Sequence, residues 1–328
     1  LNRTKKPNWH DGKVVAKALH ILECKFPYKH RYIHRLFLSL YKILPMIRYQ
    51  HINGQLVNAA EAALHVSDLA ILRGYGVFDY FLVRQGVPMY VDDYVRRFGK
   101  SAGLLHLAVP FSELELKNHI HELIEANQVA DAGVRLVLTG GYADDGYTPV
   151  QPNLLILLHP MPAPKDELYE HGGKMLLHGY QRELPEAKTI NYLTGIRLLS
   201  EMKAQNCVEI LYHDFGTIRE AVRSNFFLVT QDDVIVTPNE QILWGITRKN
   251  TLTVAQPHFK IEERRVNVQE LRFAKEAFIT STIKGVMPIV QIGEQFIGNG
   301  KPGEVTRQLG SLLQQMDQAY IASSKVFI

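Results

Sequence analysis

Pro185-Glu186-Ala187-Lys188-Thr189-Ile190-Asn191-Tyr192 is the stretch on which the reading of this chain turns. A proline marks a turn, a lysine follows it, and an apolar-periodic segment comes next. Leu193, Ile196, Leu199 and Met202 recur at helical spacing, which predicts a helix over roughly 191–205. Lys188 and Tyr192 would then share one helix face. A lysine at such a boundary is ordinarily a solvated surface residue. What lies further along the chain changes that reading.

Downstream come three more pieces: Arg219-Glu-Ala-Val-Arg-Ser-Asn-Phe-Phe-Leu-Val229, Leu243-Trp-Gly-Ile-Thr-Arg248 and Phe278-Ile-Thr-Ser-Thr-Ile283. Upstream, Asp92-Asp-Tyr-Val-Arg-Arg-Phe-Gly-Lys-Ser-Ala102 reads as a helix with acidic residues at its start, where they suit the helix dipole. In this order and spacing the pieces resemble the class IV aminotransferases, which include branched-chain and D-amino-acid aminotransferases and aminodeoxychorismate lyases. The likeness runs from about Met46 to the C-terminus. It implies an α+β (α/β two-domain) architecture of fold type IV, D-amino-acid aminotransferase-like, with pyridoxal 5'-phosphate as cofactor.

That cofactor asks for particular chemistry. It needs a lysine amine neutral enough to attack an aldehyde. It needs an acid beside the pyridine nitrogen, so that the ring draws electrons. It needs a phosphate cradle of backbone N–H groups, hydroxyls and a cation. By the resemblance, Lys188 is the amine and the base that moves the α-proton, and Tyr192 lies near the ring's phenolic oxygen. Glu220 is the acid, with Ser224 and Asn225 beside it. Ile246, Thr247, Ser281 and Thr282 form the cradle, and Arg97 grips the phosphate. The family histidine three residues before that arginine is Tyr94 here, and Arg223 is bulkier than the family serine.

For the substrate the resemblance points to Arg73, Phe78 and Tyr80 around one strand, to Arg135 as a carboxylate partner, and to Thr282 and Ile283. Arg135 also carries a reading of its own. It sits inside the apolar strand Gly133-Val-Arg-Leu-Val-Leu-Thr139, where its charge must meet an anion, a carboxylate or water. The expected reaction is transamination of branched-chain L-amino acids with 2-oxoglutarate. D-alanine transamination and aminodeoxychorismate lysis are the rivals on the same cofactor, and a non-catalytic relative is the rival outside enzymology. The four-residue Lys188–Tyr192 spacing resembles the D-amino-acid and lyase branches. A homodimer is implied by the family.

The organisation expected is a basic extension over 1–45, a small α/β domain over 46–158, a proline-rich linker over 159–167 and a larger cofactor-binding domain over 168–328. Ile47 to Val57 reads as a hairpin turning at Asn53-Gly54. The chain's net charge of +4 is uneven, since residues 1–45 alone hold ten Lys/Arg against two Asp/Glu. The remainder is mildly acidic, which does not suit a nucleic-acid binder. For residues 1–45 an upstream extension, a targeting peptide or a membrane-surface helix over 31–44 are all open readings, and Asn2-Arg3-Thr4 matches a glycosylation sequon. No apolar run is long enough to span a bilayer, and no membrane partner is expected for the core. Cys24 and Cys207, far apart, suggest neither disulfides nor a zinc site but a reducing, cytoplasmic setting. Gly298-Asn-Gly-Lys-Pro-Gly303 matches a dinucleotide fingerprint, but no βαβ unit can follow it. His119 and His121 are two apart on a helix and face different ways, so no metal pair is expected there.

Overall fold

Asn53 and Gly54 take positive φ values of 50° and 88°, the geometry a two-residue hairpin turn demands. The turn joins strand β1 (Tyr49–Ile52) to β2 (Gln55–Asn58), with Ile52 opposite Gln55. This is a computed structural model, and it describes residues 47–161 and 166–324. The readings made on residues 1–45, including the sequon, lie outside the described residues.

After the hairpin come a short helix α1 (Leu69–Arg73), the long strand β3 (Gly76–Arg84) and its return β4 (Val87–Pro88). Helices α2 (Val91–Leu104) and α3 (Glu113–Asn127) follow, then strands β5 (Ala132–Thr139) and β6 (Leu154–His159). The strands form one antiparallel sheet in the order β2-β1-β6-β5-β3-β4. Helix α2 buries Tyr94, Val95, Phe98 and Ala102, the three-and-four spacing of a core-facing stripe. Their partners include Phe81, Val134 and Leu136 from the sheet. Arg96 lies on the outer face beside Asp93, as a solvated residue should.

His51 on β1 is fully buried in this half, and neither ring nitrogen has a hydrogen-bond partner. Burial first, and then the neighbouring His119, push its pKa down to about 4, so the ring enters the core neutral.

The second half begins with α4 (Glu167–His171) and β7 (Gly173–Gly179). Two short helices follow, α5 (Leu193–Arg197) and α6 (Leu199–Ala204), then β8 (Glu209–Asp214), β9 (Thr217–Ala221), β10 (Asn225–Val229) and β11 (Ile235–Thr237). Helix α7 (Ile246–Ala255), strands β12 (Ile261–Glu263), β13 (Val266–Asn267), β14 (Glu276–Ser281), β15 (Gly285–Ile292) and β16 (Gln295–Phe296), and helix α8 (Glu304–Ser324) complete it. Ten strands make one mixed sheet, in the order β12-β11-β10-β14-β15-β7-β8-β9-β13 with β16 on β15. Strand β10 is buried at every position, as a central strand covered on both faces must be. Phe227 on β10 stacks against Phe278 on β14, with ring centroids 4.7 Å apart.

The single helix expected over 191–205 is in fact two, broken at Leu198, and neither Lys188 nor Tyr192 is helical. Leu193 and Ile196 are 73% and 63% exposed, so no core holds that apolar face in one continuous helix. Gly195 faces inward instead, because a Cβ there would meet Val222 Cγ1 at 2.6 Å. The glycine-rich decoy is the loop into α8. Gly303 leaves room for Glu276, whose carboxylate accepts from the N–H groups of Val305 and Thr306 and from the Thr306 hydroxyl. Among the described residues no helix is long and apolar enough to cross a membrane.

Candidate active site

A cavity of about 930 Å³ lies between the two sheets. Strand β3 supplies Phe78 and Tyr80, two apart and therefore on one face. Strand β5 adds Arg135 in direct register with Tyr80. Its guanidinium carbon lies 5.8 Å from the Phe78 ring centre and 5.9 Å from that of Tyr80. Arg135 enters no ion pair among the described residues, so its charge is offered to the cavity.

Lys188 reaches the cavity from a loop, not a helix. The loop is pinned along the start of β3, because the Phe78 N–H donates to the Lys188 carbonyl (2.9 Å) and the Ile190 N–H to that of Gly76 (3.1 Å). The Lys188 N–H donates to Ser101 Oγ on α2 at 3.1 Å. The Nζ lies 4.7 Å from the centre of the Phe78 ring. Desolvation, followed by the positive charge of Arg97, brings the Lys188 amine down to about 8. Tyr192 packs edge-on to Phe78 at 5.7 Å, and burial pushes its phenol up to about 12.

Glu220, on β9, is held on both oxygens. Arg182 donates to Oε1 at 2.8 Å, and the Leu243 N–H to Oε2 at 3.0 Å. Arg182 also donates to the carbonyls of Pro185 and Ala187, so the carboxylate and the lysine-bearing turn are tied to one guanidinium. Ser224 and Asn225 follow at the turn into β10 and line the same wall. Val222 leans on Gly195 of α5.

Helix α7 points its N-terminus at the cavity. Its N-cap is Gly245, no side chain caps it, and Ile246 and Thr247 line the cavity there. A Cβ at Gly245 would fall 2.1 Å from Asn225 Oδ1, so a larger residue there would displace that amide. Free N–H groups at a helix start suit an anion. Ser281, Thr282 and Ile283, where β14 leads into β15, lie nearby, as does Thr280, whose Oγ is buried without a partner.

Arg97 stands beside this cradle, but two of its nitrogens are taken. Nε and Nη2 donate to the two oxygens of the fully buried Asp79, at 2.9 and 2.6 Å. Nη1 donates to the Trp244 carbonyl at 3.4 Å, so one hydrogen on each of Nη1 and Nη2 is left for a ligand. Tyr94 hydrogen-bonds Thr282 Oγ1 at 2.8 Å, and so ties α2 to the far sheet.

Fourteen of the fifteen residues singled out in the sequence line this one cavity. Arg73 does not. It ends α1 exposed, donating to the Leu72 carbonyl, because the glycine at 74 turns the chain before β3 begins. The loop over 142–149 contributes no residue to that lining. Asp145 folds it back on itself, accepting from the Tyr147 and Thr148 N–H groups. Asp79, Arg182 and Ser101 were not anticipated. An acid inside an apolar strand was the available signal for Asp79, whereas Arg182 has none.

The match to the class IV amino-transferase family model spans residues 76–292. The chain belongs to the class IV aminotransferases. It is 30% identical over 268 residues to the D-alanine aminotransferase of Bacillus licheniformis, covering 80% of this chain and 94% of that one. The branched-chain amino acid aminotransferase of Escherichia coli superposes with a TM-score of 0.78 at 24% identity, over 83% of this chain and 95% of that one. A hypothetical aminotransferase from Mycobacterium tuberculosis, in its PLP-bound form, superposes at 0.72 with 19% identity, over 82% and 98%. The fold is therefore fold type IV, and this class IV aminotransferase is an enzyme of amino and oxo acids for which pyridoxal phosphate is the expected cofactor.

Proposed function

We propose that the enzyme transfers the amino group of branched-chain L-amino acids to 2-oxoglutarate, using pyridoxal 5'-phosphate. The observation that carries the substrate reading is Arg135, a cation with no carboxylate partner among the described residues. It is flanked by Phe78 and Tyr80 on a wall continued by Val137, Ile190 and Met287. A carboxylate beside an apolar surface describes an amino acid with an aliphatic side chain.

The residues present fit the cofactor: a lysine of lowered pKa, a fixed carboxylate, an uncapped helix start and an orphan hydroxyl share one cavity. When bound, pyridoxal phosphate supplies an electrophilic aldehyde and a ring that accepts electron density from the substrate's Cα. Lys188 would hold it and then serve as the base that takes the α-proton. Glu220 would face the pyridine nitrogen, fixed in place by Arg182 and the Leu243 N–H. Ile246, Thr247, Ser281, Thr282 and the Arg97 guanidinium would meet the phosphate. Arg135 would orient the substrate carboxylate, helped by the N–H groups of Thr282 and Ile283. The enzyme is read as a cytoplasmic homodimer with two domains, 46–158 and 168–328, joined by 159–167.

A second reading, transfer from D-alanine, is favoured by the identity to the Bacillus licheniformis enzyme and by the Lys188–Tyr192 spacing. The test is the visible absorption of protein loaded with pyridoxal phosphate. Bleaching on addition of L-leucine is the expected result. Bleaching with D-alanine alone would replace the first reading with the second, and protein that takes up no colour would overturn both.

A further inference from the structure

The first sheet holds a second cluster of metal-ligating side chains, none of which lines the cavity. His51 on β1 faces α3, where His119 and Glu122 sit three apart on one side. The ring centroids of His51 and His119 are 4.4 Å apart, His119 Nδ1 is 3.4 Å from Glu122 Oε2, and one ligand atom from each residue lies within 4.8 Å of the others. We propose that His51, His119 and Glu122 form a binding site for one divalent transition-metal ion of the zinc class, clamping the N-terminal hairpin to α3.

Three observations carry it. The first is the donor set, two imidazoles and one carboxylate, which suits zinc and leaves a fourth position for water. The second is the unmet demand at His51, fully buried with both ring nitrogens unpartnered. Buried polar atoms are nearly always satisfied, and a metal bond would satisfy one of these. The third is access. Glu122 is exposed and His119 half-buried, so an ion can enter from the α3 surface. Bonds of about 2.0–2.2 Å place tetrahedral ligands about 3.3 Å apart, within a rotamer adjustment of the geometry present. Phe111 closes the other side, its ring edge-on to His119 at 4.7 Å and in contact with the hairpin turn at Gly54. His119 and His121 were not expected to form a metal pair, and the fold brings His119 a partner from elsewhere. The partner is on a strand some seventy residues earlier.

The test is Zn²⁺ affinity and stoichiometry of the full-length, chelator-treated protein, measured by competition with a chromophoric chelator. Residues 1–46 carry further histidines and Cys24, so the decisive quantity is the difference between variants. Glu122→Gln and His119→Asn, both at accessible positions, should each weaken one site at least about tenfold while leaving the visible spectrum of bound pyridoxal phosphate unchanged. His51→Phe, which keeps the core filled, should abolish it. Should that variant fail to fold, the other two decide. Equal Zn²⁺ binding by wild type and both variants, or none by wild type, would overturn the site and leave His51 as a packing residue.

Discussion

At Lys188 burial lowers the pKa of the amine, which the role proposed for it requires. With a pKa of about 8, about one-tenth of the amine is neutral at pH 7, against a few parts in ten thousand for an unperturbed lysine. The rate at which cofactor-free protein captures pyridoxal phosphate should rise with pH and level off just above 8. A rate still climbing tenfold per unit beyond pH 9 would mean that the amine is not desolvated. Glu220 makes a second case. Removing Arg182 leaves a buried carboxylate without its counter-charge, so Arg182→Met should cost about 3–5 kcal/mol in a denaturant melt. The double variant with Glu220→Gln should recover part of that loss, and strict additivity would show that the two do not interact. Lys188 and Glu220 were legible in the sequence because each sits within a local motif. Arg182 and Asp79 were not, because what defines them is a partner supplied by another element.

Among elements, β3 shows how one period-two strand serves two faces. Phe78 and Tyr80 face the cavity, while Asp79 between them meets Arg97 of α2. Asp79→Ala should therefore destabilise the fold by about 3–5 kcal/mol and also weaken phosphate binding, since Arg97 loses its anchor. Normal cofactor affinity in that variant would disconnect the pair from the cradle. Helix α8 depends on β14 through Glu276, whose carboxylate caps three donors at its start. The hairpin, β3, α2 and β5 were readable from turn residues and periodicity. The interrupted α5 and α6 were not, because apolar residues at helical spacing signal a buried face, and here Leu193 and Ile196 remain exposed.

For the molecule as a whole, every cavity-lining residue among the described ones lies between Phe78 and Met287. A chain lacking residues 1–45 should thus retain both the visible spectrum of the bound cofactor and its response to the amino donor. Loss of either in a folded truncation would give that segment a part in the site. The strand order of the two sheets was beyond the sequence, since alternation shows which face is buried but not which neighbour covers it.

The parallel pairing of β7 has a consequence for how the chain is made. Gly173 must wait for Ile289, more than a hundred residues later, before its strand gains that neighbour. At about 5–20 residues per second, the delay on the ribosome is on the order of 6–23 s. The first sheet is complete once His159 has emerged, so it can fold while the second is still open. Phe78, Tyr80 and Arg135 would then stand ready before Thr280 and Ser281 exist to face them. The cofactor can be enclosed only after the chain through Thr280 and Ser281 has been made.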